Sequence, residues 1–303
     1  MKNIKGISIV LLAKMENHIA NGGEKLLGNA SSIKRRPDGR VYISGQMQRQ
    51  ALFRAVERLN LESEDRGDTY VSNGDGITNQ IEKDLRADMG GWMHPSGGNY
   101  SGRRTAPISA TFAVALEESE LGRDLLIRLK QNPDTDSTKD QALATREFSQ
   151  SDDMQMAFHL DVSALSISRR FSYANELHVK TDFIKHVDEN ERNRRAKLFI
   201  NATRYITDYA NQARNASTGE PIKVLIVLDT KLSRKCARYF SMDAIEQENL
   251  MAELEDRGAL VFVGDDKQTG KPVYKAYQEA LAAIESLYDP SGDAEPTPFS
   301  ESA

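Results

Sequence analysis

A single cysteine, Cys236, stands among the 303 residues, too few for an internal disulfide or a cysteine-based structural zinc site. No apolar run approaches the ~20 residues that a membrane helix needs, so no membrane partner is expected. Met1 to Lys14 lacks the basic region, long apolar stretch and small-residue cleavage site of a signal peptide, and the expected location is cytoplasmic. Catalytic signatures are scarce as well. The five histidines (His18, His94, His159, His178 and His186) show no metal-ligand spacing, and neither a Gly-x-Ser-x-Gly nor a phosphate-loop motif occurs. Neither an enzymatic activity nor a cofactor is expected. Apolar residues make up 39% of the chain, below the roughly 45–50% of an ordinary globular domain. That deficit points to long polar insertions.

What is present is charge, unevenly placed. The net charge is −5, yet Lys25 to Arg58 holds eight basic residues (Lys25, Lys34, Arg35, Arg36, Arg40, Arg49, Arg54, Arg58) against Asp38 and Glu57. Asp243 to Asp256 carries six acids and no Lys or Arg, and Asp289 to Ala303 carries four acids and no base. The local field, not the mean, decides where a polyanion binds. Two solvated faces of opposite sign are the alternative.

Periodicity divides the chain. Ile4 to Leu12 is rich in β-branched residues and reads as a strand; a polar loop follows from Glu16 to Arg40 with turn signals at Asn21-Gly22-Gly23 and Pro37-Asp38-Gly39. Gly45 to Leu59 is the clearest helix. Met47, Ala51, Leu52, Ala55, Val56 and Leu59 share one face, Phe53 falls on the other, and Ser44 occupies the N-cap position. Residues Leu61 to Arg104 lose periodicity and read as an insertion, with Gly90-Gly91, Trp92 and the pair Arg103-Arg104 within it. Period-two strands are predicted over Ile108–Leu116 and Met156–Leu165. In the first, Phe112 falls on the face of Ile108 and Ala110. Between the two strands, Glu117–Asp153 reads as an extended hairpin. A helix over Glu191–Arg214 and a doubly buried strand over Ile222–Leu228 complete the core, with a strand at Ala259–Val263 and a helix from Val273 to Tyr288 after it. Beyond Asp289 the acidic chain is expected to be disordered. The class is α+β, in the β-α-β-β-α-β order of the ferredoxin-like fold and of the RNA-recognition module, whose exposed sheet face suits single-stranded RNA.

The segment Arg40-Val41-Tyr42-Ile43-Ser44-Gly45-Gln46-Met47-Gln48-Arg49 carries the strongest chemical signal. A Ser-capped helix start offers free N–H groups and a positive dipole end to a phosphate, with Gln46 and Arg49 one turn apart beside it. An ordinary capped amphipathic helix fits the same residues.

This strand, basic loop and "YISGQMQRQALFRAV" resemble the DevR-type backbone subunit of CRISPR type I effector complexes, in the "Cas seven" family. Ile43, Ser44, Gln46 and Arg49 match its Ile-Ser-x-Gln segment and following basic residue, and "IKGISIVLLAK" and "RRTAPISATFAVAL" match further. The resemblance implies an RNA-recognition-type palm (1–60, 104–117 and 154–288) gripping the guide RNA backbone. It also implies a fingers insertion at 61–103 and a thumb hairpin at 118–153, with 289–303 as a tail. The implied partners are CRISPR guide RNA, copies of the same chain, other Cascade subunits and the target DNA strand paired to the guide. Ser44, Gln46 and Arg49 are the candidate RNA contacts. Asn21, Lys25, Lys34, Arg35, Arg36, Arg40 and Arg54 are placed around them, and Trp92, Arg103 and Arg104 in the fingers. Two alternatives stand beside this one. The first is a metal-dependent ribonuclease on the same scaffold, as in type III complexes, with Asp75 or Asp88 as the loop aspartate; both read more simply as solvated surface carboxylates. The second is a ferredoxin-like protein that assembles without RNA. Cys236, among Arg234, Lys235 and Arg238, reads as a small residue at a helix start or loop, although its basic neighbours argue for a lowered pKa.

Overall fold

The computed structural model describes residues 3–27, 30–76, 78–94, 102–130 and 140–299, with side chains outside the description at 94, 102–103, 128–130 and 140–142. In chain order the elements are β1 (Gly6–His18), β2 (Glu24–Lys25), β3 (Ala30–Ser32), β4 (Tyr42–Ile43), α1 (Gly45–Glu62), α2 (Leu85–Gly90), β5 (Trp92–His94), β6 (Gly102–Arg104), β7 (Ile108–Ala110), β8 (Ala113–Ala115), β9 (Leu121–Lys130) and β10 (Asp140–Asp161). They continue as β11 (Ile167–Ala174), β12 (Leu177–Lys185), α3 (Glu189–Arg204), β13 (Lys223–Asp229), α4 (Ala244–Asp256), β14 (Leu260–Asp265) and α5 (Val273–Ala282).

The main sheet is built on β1 and the long β10. β1 pairs antiparallel with β10 on one side and β13 on the other, and β10 pairs antiparallel with β7 and β8 on its far edge. With α1 crossing from β1 to β7 and α3 from β10 to β13, the order in space is fourth, first, third, second. That is the ferredoxin-like arrangement, with β14 added beside β13. β1 is apolar on both faces because both are covered. Ile7, Ile9, Leu11, Ala13 and Met15 enter the main core with Leu52, Phe53 and Val56 of α1, Phe199 of α3 and Tyr277 of α5. Val10 faces the opposite way, into a second core with Leu225, Val227, Cys236, Leu250 and Leu254. Each large side chain so buried contributes roughly 1.5–3 kcal/mol.

The second core corrects one expectation. The chain between β13 and β14, including a 3-10 turn at Lys235–Ser241 and α4, covers the sheet face across β1 and β13. The face on which an RNA-recognition module holds RNA is thus closed there. Cys236 sits inside this layer, and burial raises its thiol pKa where its basic neighbours suggested a fall.

Four further expectations change. Residues 167–185 form the β11–β12 hairpin, between the predicted strand Met156–Leu165 and the predicted helix Glu191–Arg214, where no element was expected. α3 ends at Arg204, short of the predicted Arg214, although Ile206 and Tyr209 remain buried beyond it. Phe53 is buried, its ring under Arg86 at 4.8 Å, because the segment carrying α2 folds over what would otherwise be the outer face of α1. Finally, the predicted strand Ile108–Leu116 is two strands. Ala110 pairs with Phe158 and Val114 with Gln155, so three residues (111–113) oppose two (156–157). This is a β-bulge, and it reverses which face the following residues occupy. Ala113 and Ala115 are buried while Phe112 is 54% exposed.

The hairpin expected over Glu117–Asp153 is present as β9 paired with β10, from Leu121 opposite Ser149 to Lys130 opposite Asp140. Its tip, 131–139, lies outside the described residues. The acidic tail does not hang free as far as Phe299. Asp289 pairs with Lys185 (3.1 Å) and Arg192 (3.5 Å). The Thr297 N–H donates to the Lys185 carbonyl at 2.8 Å, and His186 Nδ1 donates to the Thr297 carbonyl at 2.7 Å. Phe299 packs against Trp92 and His186 at centroid distances of 5.7 and 5.6 Å.

Candidate nucleic-acid interface

α1 begins where β4 hands the chain to Ser44. Ser44 holds an extended backbone (φ −63°, ψ 150°), and its Oγ accepts the Met47 N–H at 3.3 Å. The cap leaves the N–H groups of Gly45 and Gln46 at an open, positively polarised helix end. Gly45 is needed there, since a Cβ would stand 2.9 Å from the Ala110 carbonyl oxygen. Gln46 is exposed and Ser44 half-buried.

Arg49, one turn on, is half-buried. One Nη donates to the Gly90 carbonyl at 2.7 Å, while Nε has no partner among the described residues. Burial holds its pKa below the ordinary arginine value. Arg86, from α2, lies next to it: Nε donates to the Ser72 carbonyl (2.6 Å), and one Nη donates to Gln50 (3.3 Å). Its pKa falls through burial, with the charges of Arg54 and Arg49 adding to the effect. Sequence reading missed Arg86, because only the fold brings α2 to α1. Arg54 is exposed but paired with Glu57 at 3.0 Å.

The basic loop is partly self-neutralised. Arg40 forks onto Asp38 (2.9 and 2.7 Å) and Arg36 approaches the same carboxylate at 3.7 Å. Lys25 and Arg35 are exposed and Lys34 half-buried. An open groove of about 700 Å³ runs between this loop and Glu118.

Three candidate contacts have internal duties instead. Asn21 is 7% exposed, and its amide donates to the carbonyls of Lys34 (3.0 Å) and Tyr42 (3.1 Å), pinning the loop to β4. Arg104 is buried, with its guanidinium on Asp88 (2.8 Å) and the carbonyls of Ala164 (2.6 Å) and Ile167 (2.8 Å). Trp92 stands edge-on to Phe299. The Arg103 side chain lies outside the described residues.

Asp88 is likewise not a surface carboxylate. It is fully buried, accepting from Arg195 and Arg104 at 2.8 Å each and from the Ser166 N–H (2.8 Å) and hydroxyl (2.7 Å). Burial alone would raise its pKa, but the Arg195 and Arg104 charges outweigh burial and leave it below the usual carboxylate value. Every Asp88 oxygen is thereby committed to holding α2, β6, the β11 entry and α3 together. Asp75 is exposed, bonded through its own N–H and carboxylate to the Asn73 side chain. Among the described residues no group of three or more His, Cys, Asp or Glu side chains is placed to hold a metal ion.

Residues 40–232, which include the α1 start, α2 and the β9–β10 hairpin, match the family model described as CRISPR-associated negative auto-regulator DevR/Csa2. The chain belongs to the DevR/Csa2 family. Two solved structures share the fold of this family member. A chain of a "CRISPR RNA-guided surveillance complex" is 14% identical with a TM-score of 0.54, over 96% of this chain and 95% of that one. A chain of a "CRISPR RNA-guided surveillance complex, pre-nicking" is 13% identical with a TM-score of 0.55, over 94% and 96%. No curated protein matches the chain.

Proposed function

We propose that this DevR/Csa2 chain is a non-catalytic, guide-RNA-binding backbone subunit of a type I CRISPR surveillance complex. Copies of it line up along the guide, beside other Cascade subunits, and present the guide to a complementary DNA strand. The observation that carries this reading is the Ser44-capped start of α1, with open N–H groups, exposed Gln46, and the cations Arg49 and Arg86 held together by the fingers. Such a site binds phosphates without reading bases. The family match and the surveillance-complex chains of the same fold support the assignment.

The buried commitment of Asp88 argues against the ribonuclease alternative, since a carboxylate saturated by two guanidiniums and a serine has no oxygen left for a metal ion. Asp75 remains accessible, and Asp75→Ala in the assembled complex should leave target silencing intact. The decisive experiment is to purify the protein from cells carrying a CRISPR array and sequence the RNA that comes with it. Guide-length RNA bearing array sequence is expected; protein that carries no nucleic acid and fails to bind added guide RNA overturns the reading.

A further inference from the structure

Phe112 is the residue at which the period-two pattern fails, and the failure has a built cause. The bulge at 111–113 is fixed by Thr111, whose N–H donates to the Ala157 carbonyl and whose hydroxyl oxygen accepts the Ala157 N–H, both at 2.9 Å. The same hydroxyl donates to the Phe112 carbonyl at 2.9 Å. The backbone is thus held so that Phe112 leaves the core, 54% exposed. Its ring does not lie loose. It stacks on Tyr42 with centroids 5.5 Å apart and planes within 10° of parallel. Tyr42 lies two residues before the α1 cap and pairs with Val114, and the Ala110 carbonyl on the near side of the bulge touches Gly45. The outer face of the Phe112 ring therefore opens beside the helix end at which a phosphate would sit.

We propose that Phe112, backed by Tyr42, is a stacking platform for one nucleobase of the single-stranded RNA whose phosphate occupies the α1 start; this rests on the guide-RNA reading above. Bulges near functional sites re-aim side chains, and sheet-borne aromatic rings beside cationic grooves are the usual means of holding unpaired bases. A protein partner is a poorer fit. Tyr42 covers one face of the ring and the preceding Thr111 is exposed, so the ring offers a single flat face rather than an enclosed socket for a docking side chain. A base needs only one ring face and tolerates polar flanks. The contact would set where a base sits without reading its identity, because every base has a π-face.

The test uses the full chain and a guide-length RNA carrying the fluorescent base 2-aminopurine at successive positions, with Phe112→Ala, Phe112→Leu and Phe112→Tyr compared to the parent. Phe112 is exposed at the bulge, so the variants keep the core. Removal of the ring by Ala or Leu should weaken binding about tenfold and abolish 2-aminopurine quenching at the stacked positions, while Tyr restores both. The salt slope should not change, since no phosphate contact is lost. Full affinity and quenching in Phe112→Ala, with the parent binding RNA normally, overturns the platform and leaves the guide-RNA reading standing. Leu behaving like Phe on RNA, with only self-assembly impaired in Ala, assigns the ring to a neighbouring copy and overturns it too. A parent chain that binds no RNA overturns the guide-RNA reading first.

Discussion

Asp88 and Arg195 illustrate how much of this chain's charge is internal. Both are fully buried, and removal of one partner strands the other in a low-dielectric interior, which typically costs about 3–5 kcal/mol. Asp88→Ala is therefore expected to lower the denaturant midpoint sharply, by more than any surface carboxylate variant such as Asp75→Ala; equal midpoints would contradict the network. His159 makes a pH-dependent contribution on the covered sheet face. Its Nδ1 meets the Ser8 hydroxyl at 2.7 Å, and burial pushes its pKa down to about 4. The unfolded chain binds this proton near pH 6.5 and the folded chain near 4, so stability is full above pH 6.5 and is lost as the pH falls towards 4. The loss amounts to roughly 3 kcal/mol. His159→Gln should flatten that part of the stability profile in denaturant titrations between pH 7 and 4.5. An unchanged slope would show that the group stays accessible to protons.

Among the elements, the tail strap and the fingers depend on each other. Trp92, the only tryptophan, packs on Phe299, and the tail is tied down by Asp289 and Thr297. Truncation after Tyr288 should expose Trp92 and shift its fluorescence to longer wavelength; an unshifted spectrum would mean that the strap does not form in solution. Gly91 lies at φ +68° with its Cα so close to Arg104 that a Cβ would stand 2.4 Å from the carbonyl oxygen. Gly91→Ala should thus loosen the fingers, seen as faster proteolysis between α2 and β7, while the palm still unfolds cooperatively. Sequence legibility follows the same division. α1, its cap, β13 and the β9–β10 hairpin were readable because local periodicity and capping chemistry determine them. The bulge at Phe112 and the burial of Asp88 and Arg104 were not, because each is fixed by partners more than 40 residues away; the β11–β12 hairpin is local, but its strands are largely exposed and carry no clean alternation of apolar and polar residues. The site was legible in part: Ser44, Gln46 and Arg49 lie in one continuous segment, whereas Arg86 joins them only through the fold.

Across the whole molecule, an acidic chain brings two half-buried cations, Arg49 and Arg86, together beside the α1 start. The ferredoxin-like sheet serves as the platform that positions that place, its second face partly closed by the chain between β13 and β14. The repeating subunit proposed above would use this arrangement, since binding that ignores sequence lets identical copies follow any guide. The most direct measurement is the salt dependence of guide-RNA affinity for the parent and for Arg49→Ala, with folding checked by circular dichroism, on two unrelated RNA sequences. Arg49→Ala should weaken both RNAs equally and reduce the slope of log affinity against log salt by roughly 0.7, the value for one phosphate contact on a single strand. An unchanged slope, or a loss confined to one sequence, would contradict the account.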